Sequence, residues 1–296
     1  MQPITNLLIN ALRKAVKFLH RDFLELEMLQ KNSVRNEEFC KRSYLRLKTL
    51  LCEELQKHTQ YLFFPDDQFD LNNNYESVFL INPIDSPNNF ARSIPFFAIS
   101  VTYLKRNQEV LTPTSTVIYF PALNEIYYAE KGKGAWIEKN NLNSNYQGLR
   151  LRVSDNADLK NCLAIIEDVN HNDLEEIYSC EMRSEYTKIN LEKSKESVSR
   201  GAERTEVCEH SRTYKDDVAN FSSSSSINNI RSFGSPCYGA TLVASGKADL
   251  ICLSLLNFTL YYAFELLIKE AGGIIIDSSD KFIYSNRYIA KKLKKY

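Results

Sequence analysis

A polar loop in the first third of the chain carries the residues best suited to bind a ligand. It reads Asn82-Pro83-Ile84-Asp85-Ser86-Pro87-Asn88-Asn89-Phe90 and follows an apolar run over 77–81. Side chains on a loop that leaves a rigid strand can converge on one ligand. Carboxylate, amide and backbone carbonyl oxygens are the donors that hard divalent cations prefer. By itself, however, this composition is more typical of an ordinary turn.

The other residue types that could bind a metal give a weaker signal. Asp66 and Asp67 stand in a stretch rich in Pro, Asp and Asn, where carboxylates are commonly solvated turn residues. The four His have no i, i+4 spacing, and the seven Cys include no C-x-x-C pair. We therefore expect reduced thiols, with neither a structural zinc site nor a disulfide framework.

The composition excludes several classes of function. The chain has 296 residues with 37 basic and 37 acidic side chains, and this balance argues against strong nucleic-acid binding. No apolar run approaches the roughly 18 residues that span a bilayer, and the N-terminus lacks a signal-peptide pattern. We expect a cytoplasmic protein without membrane contact. The first of the nine glycines is Gly132, which excludes multi-glycine phosphate loops from the first 131 residues.

The elements that must position the polar loop are helical first and then β. Apolar residues at three- and four-residue steps predict amphipathic helices over 4–23 and 40–55. A buried strand over 77–81 stops at Pro83, because proline cannot donate to a sheet ladder. Closely spaced β-branched and aromatic runs then predict antiparallel strands within 96–153. We assign residues 1–165 to an N-terminal α+β lobe that contains the loop 82–90.

The composition changes in the second half of the chain. Residues 183–217 contain 16 charged residues and eight apolar ones, too few to offset the entropy of ordering. We expect a divergent, mostly disordered polar insertion over 166–229. Helices over 239–246 and 258–269 alternate with strands over 248–253 and 274–277, which predicts a C-terminal α/β lobe at 230–296 that is short at its end.

Segments throughout the chain resemble the inositol monophosphatase family. In the first half these are the loop at 82–90 and the stretches 94–101 and 129–136. In the second half, 231–235, 244–249 and 270–273 match in order, and only about 170–229 is left out. The opening residues are most similar to the bacterial extragenic-suppressor (SuhB) branch. The resemblance implies an α+β fold, a layered α/β/α/β/α sandwich, that hydrolyses phosphomonoesters such as phosphorylated polyols with Mg²⁺ held by acidic side chains from three chain segments.

The family's first metal motif is only partly present. Its first Asp is Asn82, an amide that brings no charge, whereas its second Asp is kept as Asp85 and the carbonyl of Ile84 is available. In the family, a Gly follows whose backbone approaches the phosphate, and Ser86 stands in its place here. The family's next residue is a Thr that orients the attacking water and offers its N–H. Pro87 replaces it and has neither hydroxyl nor N–H.

The remaining ligand positions depart further from the family. Its Glu-Glu pair falls near Asp66-Asp67. Counting back from Gly273 places its helical metal-binding Asp at Leu260 and its substrate-binding Glu at Leu253. At most two of four acidic ligands remain, Asp66 and Asp85, so we expect Mg²⁺ to bind weakly if at all.

Three hypotheses follow from this pattern. The first is a pseudophosphatase with a binding or regulatory role, whose suppressor-type relatives act in transcription antitermination and so suggest a protein partner in the transcription machinery. The second is a phosphatase that uses one metal or relocated ligands, although Glu265 should point away from the position of Leu260. The third is a decaying product with no retained role. The family also implies a homodimer.

Overall fold

Two β-sheets, with helices packed between and around them, form the framework of the fold. The computed structural model describes residues 1–29, 33–59, 61–70, 73–108, 110–139, 148–167, 227, 229–253, 256–277 and 281–293. The predicted insertion at 166–229, including 183–217, lies outside these residues except for 166, 167, 227 and 229.

The first sheet contains seven strands in chain order. They are β1 (Leu62–Phe63), β2 (Ser77–Asn82), β3 (Ile99–Asn107), β4 (Val110–Phe120), β5 (Glu125–Glu130), β6 (Gly134–Lys139) and β7 (Leu149–Arg150). Strands β2 to β7 pair antiparallel with their neighbours, as the short connections predict. Strand β1 pairs parallel with β2 and forms an edge of the sheet.

The second sheet has the strand order β11-β12-β10-β8-β9. Its strands are β8 (Leu163–Glu167), β9 (Asn229–Arg231), β10 (Leu250–Leu253), β11 (Ile274–Asp277) and β12 (Phe282–Ser285). Strand β8 runs parallel to both β10 and β9, while β12 is antiparallel to β10 and β11. Strand β8, which precedes residues 168–226, therefore pairs in this sheet with strands that follow them.

The helices form layers on and between the two sheets. The α-helices are α1 (Pro3–Ala15), α2 (Leu19–Leu29), α3 (Ser33–Leu55), α4 (Pro87–Ala91), α5 (Pro236–Ala244), α6 (Phe258–Glu270) and α7 (Arg287–Leu293). A 3₁₀ turn at Val16–Phe18 divides the helix predicted over 4–23 into α1 and α2. Within the described ranges, no helix is both long and apolar enough to cross a membrane.

The buried side chains show how these layers stack. Helices α1 to α3 pack on one face of the first sheet, for example through Leu12 and Leu47 in a core with Phe79. Helices α5 and α6 fill the space between the sheets, where Phe264 shares a core with Ile118. Helix α7 covers the outer face of the second sheet. This order is the α/β/α/β/α sandwich that the family resemblance implies.

Candidate functional site

The polar loop leaves the end of β2 and turns directly into α4. Asn82, the last residue of β2, is 3% exposed and pairs with Ser100 of β3. Pro87 is the first residue of α4, a position where a missing N–H costs a helix little. The loop thus keeps its helix while lacking the backbone donor and the hydroxyl that the family's Thr supplies.

Asp85 is held by hydrogen bonds from two distant segments. Its Oδ1 accepts from the Ala98 amide at 2.7 Å, and its Oδ2 accepts from Ser235 Oγ at 2.7 Å and the Cys237 amide at 3.0 Å. Its own amide donates to the Ala98 carbonyl at 3.0 Å. Both carboxylate oxygens are therefore engaged within the protein.

The position of Asp85 explains these bonds. Ser235 is the N-cap of α5 and Cys237 lies in its first turn, so the carboxylate faces the positive end of a helix. Burial raises the pKa of Asp85, while the hydrogen bonds from Ser235, Ala98 and Cys237 act in the opposite direction. Asp85 thus joins the loop to the middle helix layer.

Leu260 occupies an apolar site at the start of α6. The helix is capped by Asn257, whose Oδ1 accepts from the Leu260 amide at 2.9 Å. The Leu260 side chain is 2% exposed and belongs to the core between the sheets, together with Leu253 and Leu256. Glu265, further along α6, pairs with Lys269, whose Nζ lies 2.6 Å from Glu265 Oε1.

The acidic pair upstream of β2 has local partners. Asp67 closes a turn, since its Oδ2 accepts from the Phe64 amide at 2.7 Å and its amide donates to the Phe64 carbonyl at 3.0 Å. Burial raises the pKa of Asp67. Asp66 is exposed and its Oδ2 lies 3.6 Å from Lys48 Nζ. These contacts are those of a surface turn.

A buried carboxylate that the sequence reasoning missed lies beside the loop. Glu167 ends β8, is 2% exposed, and accepts from the amides of Phe233 at 2.7 Å and Gly234 at 2.9 Å and from Ser232 Oγ at 3.2 Å. Burial raises the pKa of Glu167 to about 7, and the charge of Asp85 adds to this shift. The available signal was an acidic residue directly after the apolar run 163–166.

Asn89 and Glu167 both form hydrogen bonds with the segment 232–234. Asn89 Nδ2 donates to the carbonyls of Phe96 at 2.7 Å and Phe233 at 2.8 Å. Glu167 meanwhile accepts from the amides at 233 and 234. The segment 232–237 is therefore fixed between the polar loop and the end of β8. By contrast, the buried Oγ of Ser86 has no hydrogen-bond partner in the described structure.

The donors present do not fit a pair of magnesium ions. Asn82 brings no charge, Asp85 already accepts three internal hydrogen bonds, and the Leu260 side chain offers only carbon. Among the residues that the structure describes, no three His, Cys, Asp or Glu side chains are grouped to hold a metal ion. Mg²⁺ needs several oxygen ligands in near-octahedral geometry.

Comparison with known proteins identifies the family. The model of the inositol monophosphatase family matches residues 1–295. The chain therefore belongs to the inositol monophosphatase family. The crystal structure of the extragenic suppressor protein SuhB from Bartonella henselae has the same fold, with a TM-score of 0.67, 21% identity, and coverage of 100% of this chain and 98% of that one.

Two relatives that align with most of this chain carry the names of different activities. The fructose-1,6-bisphosphatase/inositol-1-monophosphatase of Thermotoga maritima is 26% identical over 258 residues, 83% of this chain and 77% of that protein. The Nus factor SuhB of Xylella fastidiosa is 21% identical over 276 residues, 93% of this chain and 82% of that protein. A local match of 49 residues is 76% identical to a bifunctional methyltransferase of Rickettsia bellii, and it spans 17% of this chain but only 9% of that protein.

Proposed function

We propose that this chain is a catalytically impaired family member, a pseudophosphatase that acts by binding. The observation that carries the proposal is the side chain of Leu260, buried in the apolar core where the family resemblance expects a metal-binding Asp. A metal ion at this position would lack one charged ligand. Hydrated Mg²⁺ would also have to enter an apolar environment, which is unfavourable.

The loop residues support the same proposal. Two-metal hydrolysis requires carboxylates that hold both ions and a group that orients the water. Asn82 and Pro87 supply neither a charge nor a hydroxyl. Asp66, Asn82, Asp85 and the Ile84 carbonyl are, in this proposal, vestiges of a metal site, and Ser86 is a vestige of the phosphate site.

The partner in this proposal is a protein of the transcription machinery. A relative from Xylella fastidiosa that covers 93% of this chain is named Nus factor SuhB, which supports a partner of that kind. We further propose a cytoplasmic location and a homodimer, as the family resemblance implies. Affinity capture from cell extract tests the partner: recovery of RNA polymerase or a Nus factor is expected, and recovery of no specific protein contradicts the regulatory role.

An alternative is an active Mg²⁺-dependent phosphomonoesterase with a reduced metal site. It is favoured by the retained Asp85 and by the relative from Thermotoga maritima whose name includes inositol-1-monophosphatase. Its substrate would be a small phosphorylated polyol. For this alternative to hold, Asp85 must bind a metal ion through the acceptor capacity that its three internal hydrogen bonds leave, mainly on Oδ1.

Phosphate release from inositol 1-phosphate in excess MgCl₂ separates the two functions. The unaltered protein is compared with the triple variant Asn82→Asp, Pro87→Thr, Leu260→Asp and with the Thermotoga maritima relative. We expect release by the unaltered protein at the level of buffer alone. Turnover comparable to that of the relative contradicts the proposal. Circular dichroism of the triple variant shows whether it folds, and the result for the unaltered protein stands in either case.

A further inference from the structure

Three segments of this chain correspond to those that carry metal ligands in the family. They are the turn at Asp66-Asp67, the end of β2 with its loop, and the first turn of α6 at Leu260. A cation bound by ligands on several segments would join those segments to one another. With the ligands replaced, a different interaction must hold the turn in place.

A group of aromatic side chains lies at this junction. We call it the aromatic cluster, and its members are Tyr61, Phe63, Phe69, Tyr75, Phe258 and Tyr262. Phe69 follows Asp66 by three residues, and Phe258 precedes Leu260 by two. The cluster thus takes its rings from two of the segments that carry ligand positions.

Phe69 is the ring that bridges these segments. It stacks on Phe258 of α6 with ring centroids 5.2 Å apart and planes inclined by 17°. It also meets the edge of Tyr262 at 6.5 Å and 87°, one turn further along α6. Offset stacking and edge contacts of this kind are favourable beyond the area they bury.

The cluster is also anchored to β2 and its neighbours. The ring centroid of Phe63 lies 4.9 Å from that of Phe69 and 5.3 Å from that of Tyr75. The rings pack on an apolar patch formed by Val78 and Leu80 of β2 together with Leu104 and Leu111. The aromatic cluster therefore contacts all three segments.

We propose that the aromatic cluster replaces metal ions as the link between the 61–70 segment, β2 and α6. The inference rests on the proposed loss of the metal site. Under it, the order of residues 61–70 depends on the Phe69–Phe258 stack and is independent of Mg²⁺. The turn at Asp66-Asp67 is held on the sheet through carbon contacts, which chelators do not affect.

Amide hydrogen exchange of the full chain, followed by mass spectrometry, tests the proposal. Peptides covering 61–70 are compared in excess EDTA and in excess MgCl₂. The variants are Phe69→Ala, Phe258→Ala and the double variant. Phe96→Ala is the matched control, because Phe96 is also a partly buried ring that stacks on a neighbour, Tyr238, at 4.4 Å.

We expect the unaltered protein to exchange equally in EDTA and Mg²⁺. Each single variant should speed exchange at 61–70 about tenfold, the order of effect of losing one aromatic contact with its buried area. The double variant should add little, since either substitution breaks the same stack. Phe96→Ala should leave exchange at 61–70 unchanged.

Two results would overturn the proposal. One is slower exchange at 61–70 in Mg²⁺ than in EDTA, which would show that a metal orders the segment. The other is unchanged exchange in both Phe69→Ala and Phe258→Ala. Phosphate release is measured separately, so a chain that turns over substrate while its 61–70 segment is insensitive to Mg²⁺ contradicts only the proposed function.

Discussion

The Oδ2 atom of Asp85 accepts a hydrogen bond from Ser235 Oγ at 2.7 Å, across 150 residues of sequence. This bond joins the polar loop after β2 to the N-cap of α5. Asp85 is also the one acidic residue of the family's first metal motif that this chain keeps. In the structure, Asp85 holds the polar loop and the start of α5 together, and that role can be tested without any metal.

Replacing Asp85 by Asn should destabilise the protein in the presence of EDTA. The Asn side chain keeps one acceptor oxygen, so its amide nitrogen fails to accept either from Ala98 or from Ser235 and Cys237. The loss of a hydrogen bond to a charged group costs about 2 kcal/mol. The free energy of unfolding is measured by urea titration. The control is Asp66→Asn, which removes an exposed carboxylate 3.6 Å from Lys48 and should change stability by less than about 1 kcal/mol. Equal stability of Asp85→Asn and the unaltered protein would show that Asp85 has no such structural role.

Leu260→Asp alone should be strongly destabilising. The substitution places a carboxylate in the core between the sheets, and we expect a loss of about 3 kcal/mol or more. Leu260→Met, which roughly conserves volume, should cost less than about 1.5 kcal/mol. Thermal unfolding followed by circular dichroism compares the two variants. If Leu260→Asp were as stable as Leu260→Met, this position would be open to solvent or to a cation.

The stability of the protein should fall as the pH rises from about 4.5 to about 7. Burial raises the pKa of Glu167 from 4.5 to about 7, so the folded state keeps a proton that the unfolded state loses in this interval. The contribution of Glu167 is complete below pH 4.5 and is lost as the pH passes 7. At about 1.4 kcal/mol per pKa unit, the change is on the order of 3 kcal/mol.

Glu167→Gln provides the test of that assignment. A neutral side chain at this position removes the titration, so the variant should show a flatter dependence of stability on pH between 4.5 and 7. Urea titrations at several pH values measure this slope. An unchanged slope in Glu167→Gln would assign the pH dependence to another group, of which Asp85 is the nearest candidate because burial raises its pKa as well.

Local patterns in the sequence predict most of the elements near the site. The apolar run before Asn82 predicts β2, and short connections predict its antiparallel neighbours. Gly132 and Gly134 have φ values of 76° and 92°, as a tight turn before Trp136 requires. These features depend on a few adjacent residues, so one sequence is enough to find them.

Long-range relationships could not be predicted in the same way. Nothing in the spacing of Asp85 and Ser235 indicates that they meet, because their contact depends on how the layers stack. The pairing of β8 with β10 likewise joins residues more than 80 positions apart. Glu167 follows an apolar run directly, but its burial depends on the segment 232–234 folding over it. The aromatic cluster requires α6 to lie against the 61–70 segment.

Calorimetric titration of the EDTA-treated, dialysed protein with MgCl₂ tests most directly whether a metal centre survives. The Thermotoga maritima relative, titrated under the same conditions, serves as the comparison. We expect no saturable heat for this chain, because Leu260 is apolar, Asn82 brings no charge and Asp85 already accepts three hydrogen bonds within the protein. Saturable binding of Mg²⁺ with an affinity comparable to that of the relative would contradict it.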